Sequence, residues 1–277
     1  MPRFFVDKTA FFDTVDTGAE KAANVTEKFA RIVGDDAFHI ARSLRMAVGE
    51  HVTICDTEST DYECELEKIT DNEVVVKIVS EKASESEPSY YATLFQALPK
   101  GDKLDFIIQK SVECGAFAII PFESERCIAK SKSDAEARKT ERRNKIAAEA
   151  AKQCGRGIVP GVSDTVSFDA MLAMAAKCDI GLFCYEECGP RNSLNIKKVL
   201  EEQLEVTDNN VPGEEKKLPV RKKSIAVVIG SEGGFSEREA EKAKATGLIP
   251  VGLGKRILRT ETAAVFSLAC IAYSFDM

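Results

Sequence analysis

Two glycine-bearing loops carry the residues of this 277-residue chain that are best suited to chemistry. The first is Ile229-Gly-Ser-Glu-Gly-Gly-Phe-Ser-Glu237. The second is Leu253-Gly-Lys-Arg-Ile-Leu-Arg-Thr-Glu-Thr-Ala263. Each follows an apolar stretch that reads as a buried strand, Ser224 to Ile229 and Ile249 to Leu253. Glycine lets main chain approach a ligand closely, and ligands of α/β sheets sit beyond the carboxyl ends of strands. Two such loops on successive strands predict one site built largely from backbone. The same loops carry the charged groups Glu232, Arg259 and Glu261.

The elements that must position these loops fall into two regions. Residues 1 to about 82 read as short strands with turns: Val52 to Cys55, Tyr62 to Leu66 and Glu73 to Val79 are β-branched or alternating. Asp35 to Ala47 reads as a helix in this region. The polar stretch 83–89, ending in Pro88-Ser89, reads as a linker. From residue 90 the pattern alternates strand and helix. Strands are expected at Tyr91 to Leu98, Ala116 to Pro121 and Ile180 to Tyr185, besides the two that precede the loops. Helices are expected at Asp102 to Cys114, Glu141 to Cys154, Ser167 to Lys177, Ser236 to Gly247 and Thr262 to Phe275. Ser236 and Glu239 have capping-box spacing. This alternation predicts an α/β domain over 90–277 with a largely parallel sheet. Residues 188–223 are polar and charged; apart from a short helix at Asn195 to Val206, they read as a mobile surface insertion.

Composition narrows the function classes. The net charge is −7, but it is unevenly spread: residues 1–87 hold 10 Lys and Arg against 19 Asp and Glu, and residues 126–156 hold 10 against 4. A local basic stripe can follow phosphates even on an acidic protein, and the alternative is a solvated helix face. No apolar run is long enough to span a bilayer, so a cytoplasmic, non-membrane protein is expected. The nine cysteines offer no second pair at zinc spacing beyond Cys184 and Cys188, and no metal site is expected.

The loop pattern IG-x-EGG-F-S-x-x-E followed by LG-x-RILR-TETA resembles the bacterial RsmE-type RNA methyltransferases of the SPOUT superfamily. The likeness extends over nearly the whole chain. It takes in Met1-Pro-Arg-Phe-Phe, His39 with Leu44-Arg45 and Gly49, Gln96-Ala-Leu-Pro-Lys-Gly-Asp-Lys103, and Ile108-Gln-Lys-Ser-Val-Glu-Cys-Gly115. It continues through Ile119-Ile-Pro121, Ser124-Glu-Arg126 and Glu149-Ala-Ala-Lys-Gln-Cys-Gly-Arg156 with Pro160. The resemblance implies a C-terminal α/β domain with a deep trefoil knot, a PUA-like β-barrel at the N-terminus, and a homodimer. It further implies S-adenosylmethionine (SAM) as methyl donor and N3 of a uridine in 16S ribosomal RNA of the small subunit as acceptor. Three positions depart from the family pattern: Ser231 stands where Pro is usual, Arg143 where an aromatic is common, and Cys114 where Leu is usual. Serine does not fix φ as proline does, so a looser cofactor loop is expected.

On this resemblance, the cofactor residues are Tyr185, Glu186, Gly230, Glu232, Gly233, Gly234, Leu253, Gly254, Ile257, Leu258 and Thr262. Methylation at uracil N3 requires the N3 proton to leave, or the uracil anion to be stabilised at O2 and O4. Arg259 is assigned to a uracil carbonyl oxygen or the neighbouring phosphate. Glu261 is assigned as base or orienter, with a helix-capping charge as the other reading and Glu232 as rival carboxylate. Candidate RNA contacts are Arg3, Arg42, Arg45, Lys100, Lys110, Arg126, Arg138, Arg142, Arg143 and Arg156. His39 is assigned to structure or RNA rather than to catalysis. Two other functions fit the same scaffold: methylation of another RNA target, such as tRNA ribose 2′-OH, and non-catalytic RNA binding in ribosome assembly. A nucleoside digest separates the first from the main reading, and SAM calorimetry separates the second.

Overall fold

The computed structural model describes residues 1–15, 26–129, 133–186, 195–208 and 222–277. The chain divides into two compact units, Met1–Glu87 with Ala151–Val159, and Pro88–Ala150 with Pro160–Met277.

The first unit holds β1 (Arg3–Phe5), β2 (Phe11–Val15), β3 (Thr26–Val33), α1 (Asp35–Phe38), β4 (His51–Cys55), β5 (Thr60–Ile69) and β6 (Glu73–Ala83). Its sheet runs β1-β4-β5-β6-β3-β2, with β1 parallel to β4 and every other pair antiparallel. Alternation along the strands turns Val52, Ile54, Leu66, Val74 and Val76 inward onto Phe4, Ile32 and Ile40. The helix expected over Asp35 to Ala47 is shorter. After α1 it continues in wider π-type turns over His39–Leu44 and stops at Arg45, which adopts a left-handed φ of 52°. Strands β1 to β3 were not singled out from the sequence. Here Phe12 stacks on Phe29 across the β2–β3 pair at 5.7 Å.

Residues 151–159 close this unit. Glu87 accepts hydrogen bonds of 2.8 Å from Arg156 Nε and Nη2, and one of 2.7 Å from the Gly157 amide. The Cys55 thiol donates to the Gly157 carbonyl. The segment expected as a 83–89 linker is thus tied down at Glu87, and β6 runs through Ala83.

The second unit contains β7 (Tyr91–Ala97), α2 (Lys103–Glu113), β8 (Ala116–Glu123), α3 (Ser133–Cys154, whose last turn belongs to the first unit), β9 (Gly161–Val162), β10 (Val166–Ser167) and α4 (Phe168–Ala175). It continues with β11 (Ile180–Cys184), α5 (Ile196–Asp208), β12 (Ser224–Ile229), α6 (Glu237–Ala245), β13 (Ile249–Val251) and α7 (Thr260–Asp276). The sheet order is β10-β8-β7-β12-β11-β13, with β9 beside β8, and every pair is parallel. Helices cover both faces of such a sheet, which is why β11 and the Ile225–Ile229 run of β12 are apolar at every position. The capping box forms as the spacing required: Ser236 and Glu239 satisfy each other's backbone amides at the start of α6.

The short helix expected at Asn195 to Val206 is present as α5. Ile196, Val199 and Leu200 are buried, and α5 packs on α7. The rest of the 188–223 expectation falls almost entirely outside the described residues. Among the described residues, no helix is long and apolar enough to cross a membrane, and no group of three or more His, Cys, Asp or Glu is placed to hold a metal ion.

Candidate functional site

The register of three neighbouring strands builds the site. Cys184 of β11 pairs with Ile229 of β12 on one side and with Val251 of β13 on the other. All three strands therefore end at one level, and the next residues, Tyr185, Gly230 and Gly252, start one rim. The Tyr185 amide donates to the Val251 carbonyl at 3.1 Å. Beyond the rim lies a cavity of about 710 Å³.

The first loop is a tight turn. The Gly234 amide donates to the Ser231 carbonyl at 3.0 Å, and Gly234 takes a φ of +65°. Phe235 anchors the turn from below; it is buried and its ring centre lies 4.3 Å from that of Phe183. The turn closes with Ser231 in place of the family's proline, the Ser231 hydroxyl pointing to the Arg126 carbonyl at 3.5 Å. A side chain at Gly234 is disfavoured by the positive φ, and its Cβ, 2.1 Å from Glu186 Oε1, would also push the Glu186 carboxylate aside.

Among the expected cofactor residues, Tyr185, Glu186, Gly230, Glu232, Gly234, Leu253, Gly254, Ile257 and Leu258 line the cavity, as does Arg259. Gly233 and Thr262 are not on the lining. Gly233 faces Arg126, whose Nη1 donates to the Gly233 carbonyl at 3.1 Å, and Thr262 lies on the exposed side of the first turn of α7. Cys184 closes the cavity floor, where burial pushes its thiol up to about 12 and keeps it protonated.

The charged groups form a cluster that the sequence reading missed. Lys103 Nζ lies 2.8 Å from Glu232 Oε1 and 3.3 Å from Glu261 Oε2. Burial alone would raise the Glu232 carboxyl. Hydrogen bonds from Lys103, from its own amide and from the Lys100 amide outweigh that and hold it below the ordinary carboxylate range. The bond to Glu232 raises the Lys103 ammonium, against a smaller opposing effect of burial. Glu261 Oε2 is sealed from solvent and makes no aligned hydrogen bond. Arg259 is the exposed N-cap residue of α7 and makes no side-chain cap.

Thr260 and Gln96 were also missed. Thr260 Oγ1 donates to the Gly230 carbonyl and accepts from Gln96 Nε2, joining the ends of β7 and β12 to the start of α7. Nothing in the sequence marked Thr260 apart from its neighbour Thr262. Lys103 did carry a signal: a cation in the first turn of a helix opposes the macrodipole, so an acidic partner was called for.

The expected RNA contacts are divided between the units. In the first, Arg3 makes a two-pronged pair with Asp61, Arg42 pairs with Asp71, Arg156 is buried against Glu87, and Arg45 is exposed. In the second, Lys110 pairs with Glu113 and Arg142 with Asp105. Arg143 is buried against Glu136, whose Oε1 also accepts from the Thr165 amide and hydroxyl. Lys100, Arg126 and Arg138 are exposed. Arg143 and Arg156 each sit in a buried ion pair and are not presented to solvent.

Comparison with known proteins matches residues 85–272 to the family described as RNA methyltransferase domain and residues 32–79 to that described as RNA methyltransferase PUA domain. A Bacillus subtilis protein named Ribosomal RNA small subunit methyltransferase E is 32% identical over 89% of this chain and 90% of its own length. A crystal structure of the Neisseria gonorrhoeae protein of that name, bound to SAM, is 25% identical and superimposes with a TM-score of 0.74 over 99% of this chain and 97% of the other. A Legionella pneumophila methyltransferase structure with bound SAM is 26% identical, with a TM-score of 0.72 over 98% and 96% of the two chains.

Proposed function

The chain belongs to the RNA methyltransferase family, and from that premise we propose that it transfers a methyl group from SAM to N3 of a uridine in 16S ribosomal RNA. The observation that carries the reading is the common rim of β11, β12 and β13, where two glycine-bearing loops enclose a cavity of about 710 Å³. That volume lies within the roughly 300–1,000 Å³ typical of small-molecule sites. The walls suit a nucleoside donor: main chain of Gly230, Gly252 and Gly254, with apolar Ile229, Leu253 and Leu258.

When bound, SAM supplies an electrophilic methyl group on a sulfonium. The chain must orient the uracil and take up or offset the charge of the departing N3 proton. Arg259 is exposed at the mouth, free to donate to a uracil oxygen or a phosphate. Glu232 is a poor proton acceptor, since its partners hold it ionised. Glu261 is off the cavity lining and its buried Oε2 lies 3.3 Å from Lys103 Nζ, which favours an orienter over a base that meets the uracil directly. The uridine must leave any stack to reach this depth.

Three finer points belong to the same reading. Strand β12 lies between β7 and β11, and α7 returns after the edge strand β13 to pack on β7 and β12. This path supports the trefoil knot. The exposed Phe266 and Tyr273 of α7 support a homodimer. The net charge of −7 supports an assembled small subunit, with its larger surface, over short naked RNA.

The test is to incubate the protein with labelled SAM and undermethylated small subunits, then digest the RNA to nucleosides. N3-methyluridine is expected, formed faster on subunits than on free 16S RNA or an oligonucleotide. A ribose-methylated product would refute the N3 assignment, and equal rates on all three substrates would refute the subunit requirement.

A further inference from the structure

Resting on the SAM-dependent reading above, we propose that Lys103 is a positioning residue that offsets one of the two negative charges of Glu232 and Glu261, and so weakens the hold of these carboxylates on the cationic donor in its ground state. Its location is otherwise unfavourable. Lys103 is the first residue of α2, where the helix dipole repels a cation. Its side chain is two-thirds removed from solvent and lines the cavity. What holds it there are two acids from separate elements, Glu232 on the turn after β12 and Glu261 in the first turn of α7.

The electrostatic consequence follows from the charge carried by the cofactor. The donor is a cation at sulfur before transfer, and the product thioether is neutral. Only interactions stronger in the transition state than in the ground state raise the rate. An uncompensated carboxylate at the cavity does the reverse: it binds the sulfonium and loses that attraction as the methyl departs. The other cations on the lining, Lys255, Arg256 and Arg259, are exposed on the second loop. Among the described residues, Lys103 is the one within ion-pair distance of both acids. It also joins the cofactor turn to the helix that carries Glu261, so the two acids keep a fixed spacing.

The relative affinity for SAM and S-adenosylhomocysteine, which is neutral at sulfur, reads this effect without any turnover. Calorimetry is performed on the full chain for wild type, Lys103→Met, Lys103→Arg, Lys103→Gln and the double variant Lys103→Met with Glu232→Gln. In Lys103→Met the preference for SAM over S-adenosylhomocysteine should rise about fivefold or more, as expected for one unscreened charge at a half-buried site. The single-turnover rate should fall. Lys103→Arg should restore the wild-type preference, and the double variant should move back towards it. Lys103→Gln keeps a hydrogen-bonding side chain without charge and carries the same test if Lys103→Met does not fold. A preference that is unchanged or lowered in the uncharged variants, with SAM still bound, overturns this inference alone. A wild-type protein that binds neither compound overturns the SAM-dependent reading as well.

Discussion

Thr260 Oγ1 donates a 2.6 Å hydrogen bond to the carbonyl of Gly230, thirty residues earlier in the chain. The same oxygen accepts a 2.9 Å bond from Gln96 Nε2. Both side chains are buried. The first loop is therefore tied at its first glycine to the residue that begins the closing helix.

Replacing Thr260 with Val keeps the shape and removes both bonds. Gln96 Nε2 then keeps the Ala97 carbonyl but loses Thr260, and the Gly230 carbonyl keeps its 3.5 Å contact with Gln96 Nε2 but loses the shorter bond, at a cost of about 1–3 kcal/mol. Urea unfolding should show that loss, and calorimetry should show weaker SAM binding. Unaltered SAM affinity in a destabilised variant would show that the bond matters to the fold but not to the rim.

Gly234→Ala tests the turn itself. The residue has a φ of +65°, and an added Cβ would meet Glu186 Oε1 at 2.1 Å. Binding of SAM should drop at least tenfold, about 1.4 kcal/mol, and the melting temperature should fall modestly through the strained backbone at this buried position. Adding Glu186→Ala should recover only part of the affinity, since the clash is relieved and the backbone strain is not. Full recovery would locate the whole defect in Glu186.

How much of this was legible beforehand depended on range along the chain. Strands β11 and β12 and the Ser236–Glu239 capping box were readable because each is a local pattern of a few residues. The two loops were readable because glycine runs at strand ends have few other uses. Lys103 with Glu232 and Glu261 was not readable, as it joins three distant segments through side chains alone. Within the basic stripe over 126–156, the burial of Arg143 was unreadable for the same reason: it looks like its exposed neighbours in sequence, and only the fold brings Glu136 and Thr165 around it. The early end of the α1 helix hinged on a left-handed Arg45, a residue whose type gives no such hint.

Arg143→Leu should destabilise the protein by about 3–5 kcal/mol, because it breaks a buried ion pair by removing one partner. Changing Glu136 to Met as well should return most of that stability. Arg138→Ala, at an exposed position on the same helix, should leave stability within about 0.5 kcal/mol. If Arg138 contacts phosphate, its loss should flatten the salt dependence of RNA binding by about one counter-ion. An unchanged salt slope would remove Arg138 from the RNA surface.

Acid should weaken the first unit through Glu87. Burial raises this carboxyl, but the Arg156 pair and the amides of Gly157 and Ile158 prevail and hold it below its ordinary 4.5. A folded value below the unfolded one means the contribution is complete above pH 4.5 and disappears as pH falls through the folded value. Urea midpoints should fall over that window in the wild type, and Glu87→Gln should remove this part of the dependence. An identical acid profile for the two proteins would show that other carboxylates govern it.

Arg259→Ala should lower the methylation rate far more than SAM affinity, since the side chain is exposed at the mouth and caps nothing. Equal losses in rate and affinity would place it on the cofactor instead.

The pairing of Glu87 with Arg156 bears on how the chain can be made and cut. A ribosome delivers the acid well before the arginine that answers it, so the N-terminal sheet waits for a segment synthesised after much of the next unit has emerged. Fragments ending at residue 87 inherit a carboxylate without its counter-ion. A transplantable version of this unit must carry 151–159 with it, supplied on a second peptide or rejoined through a new connection.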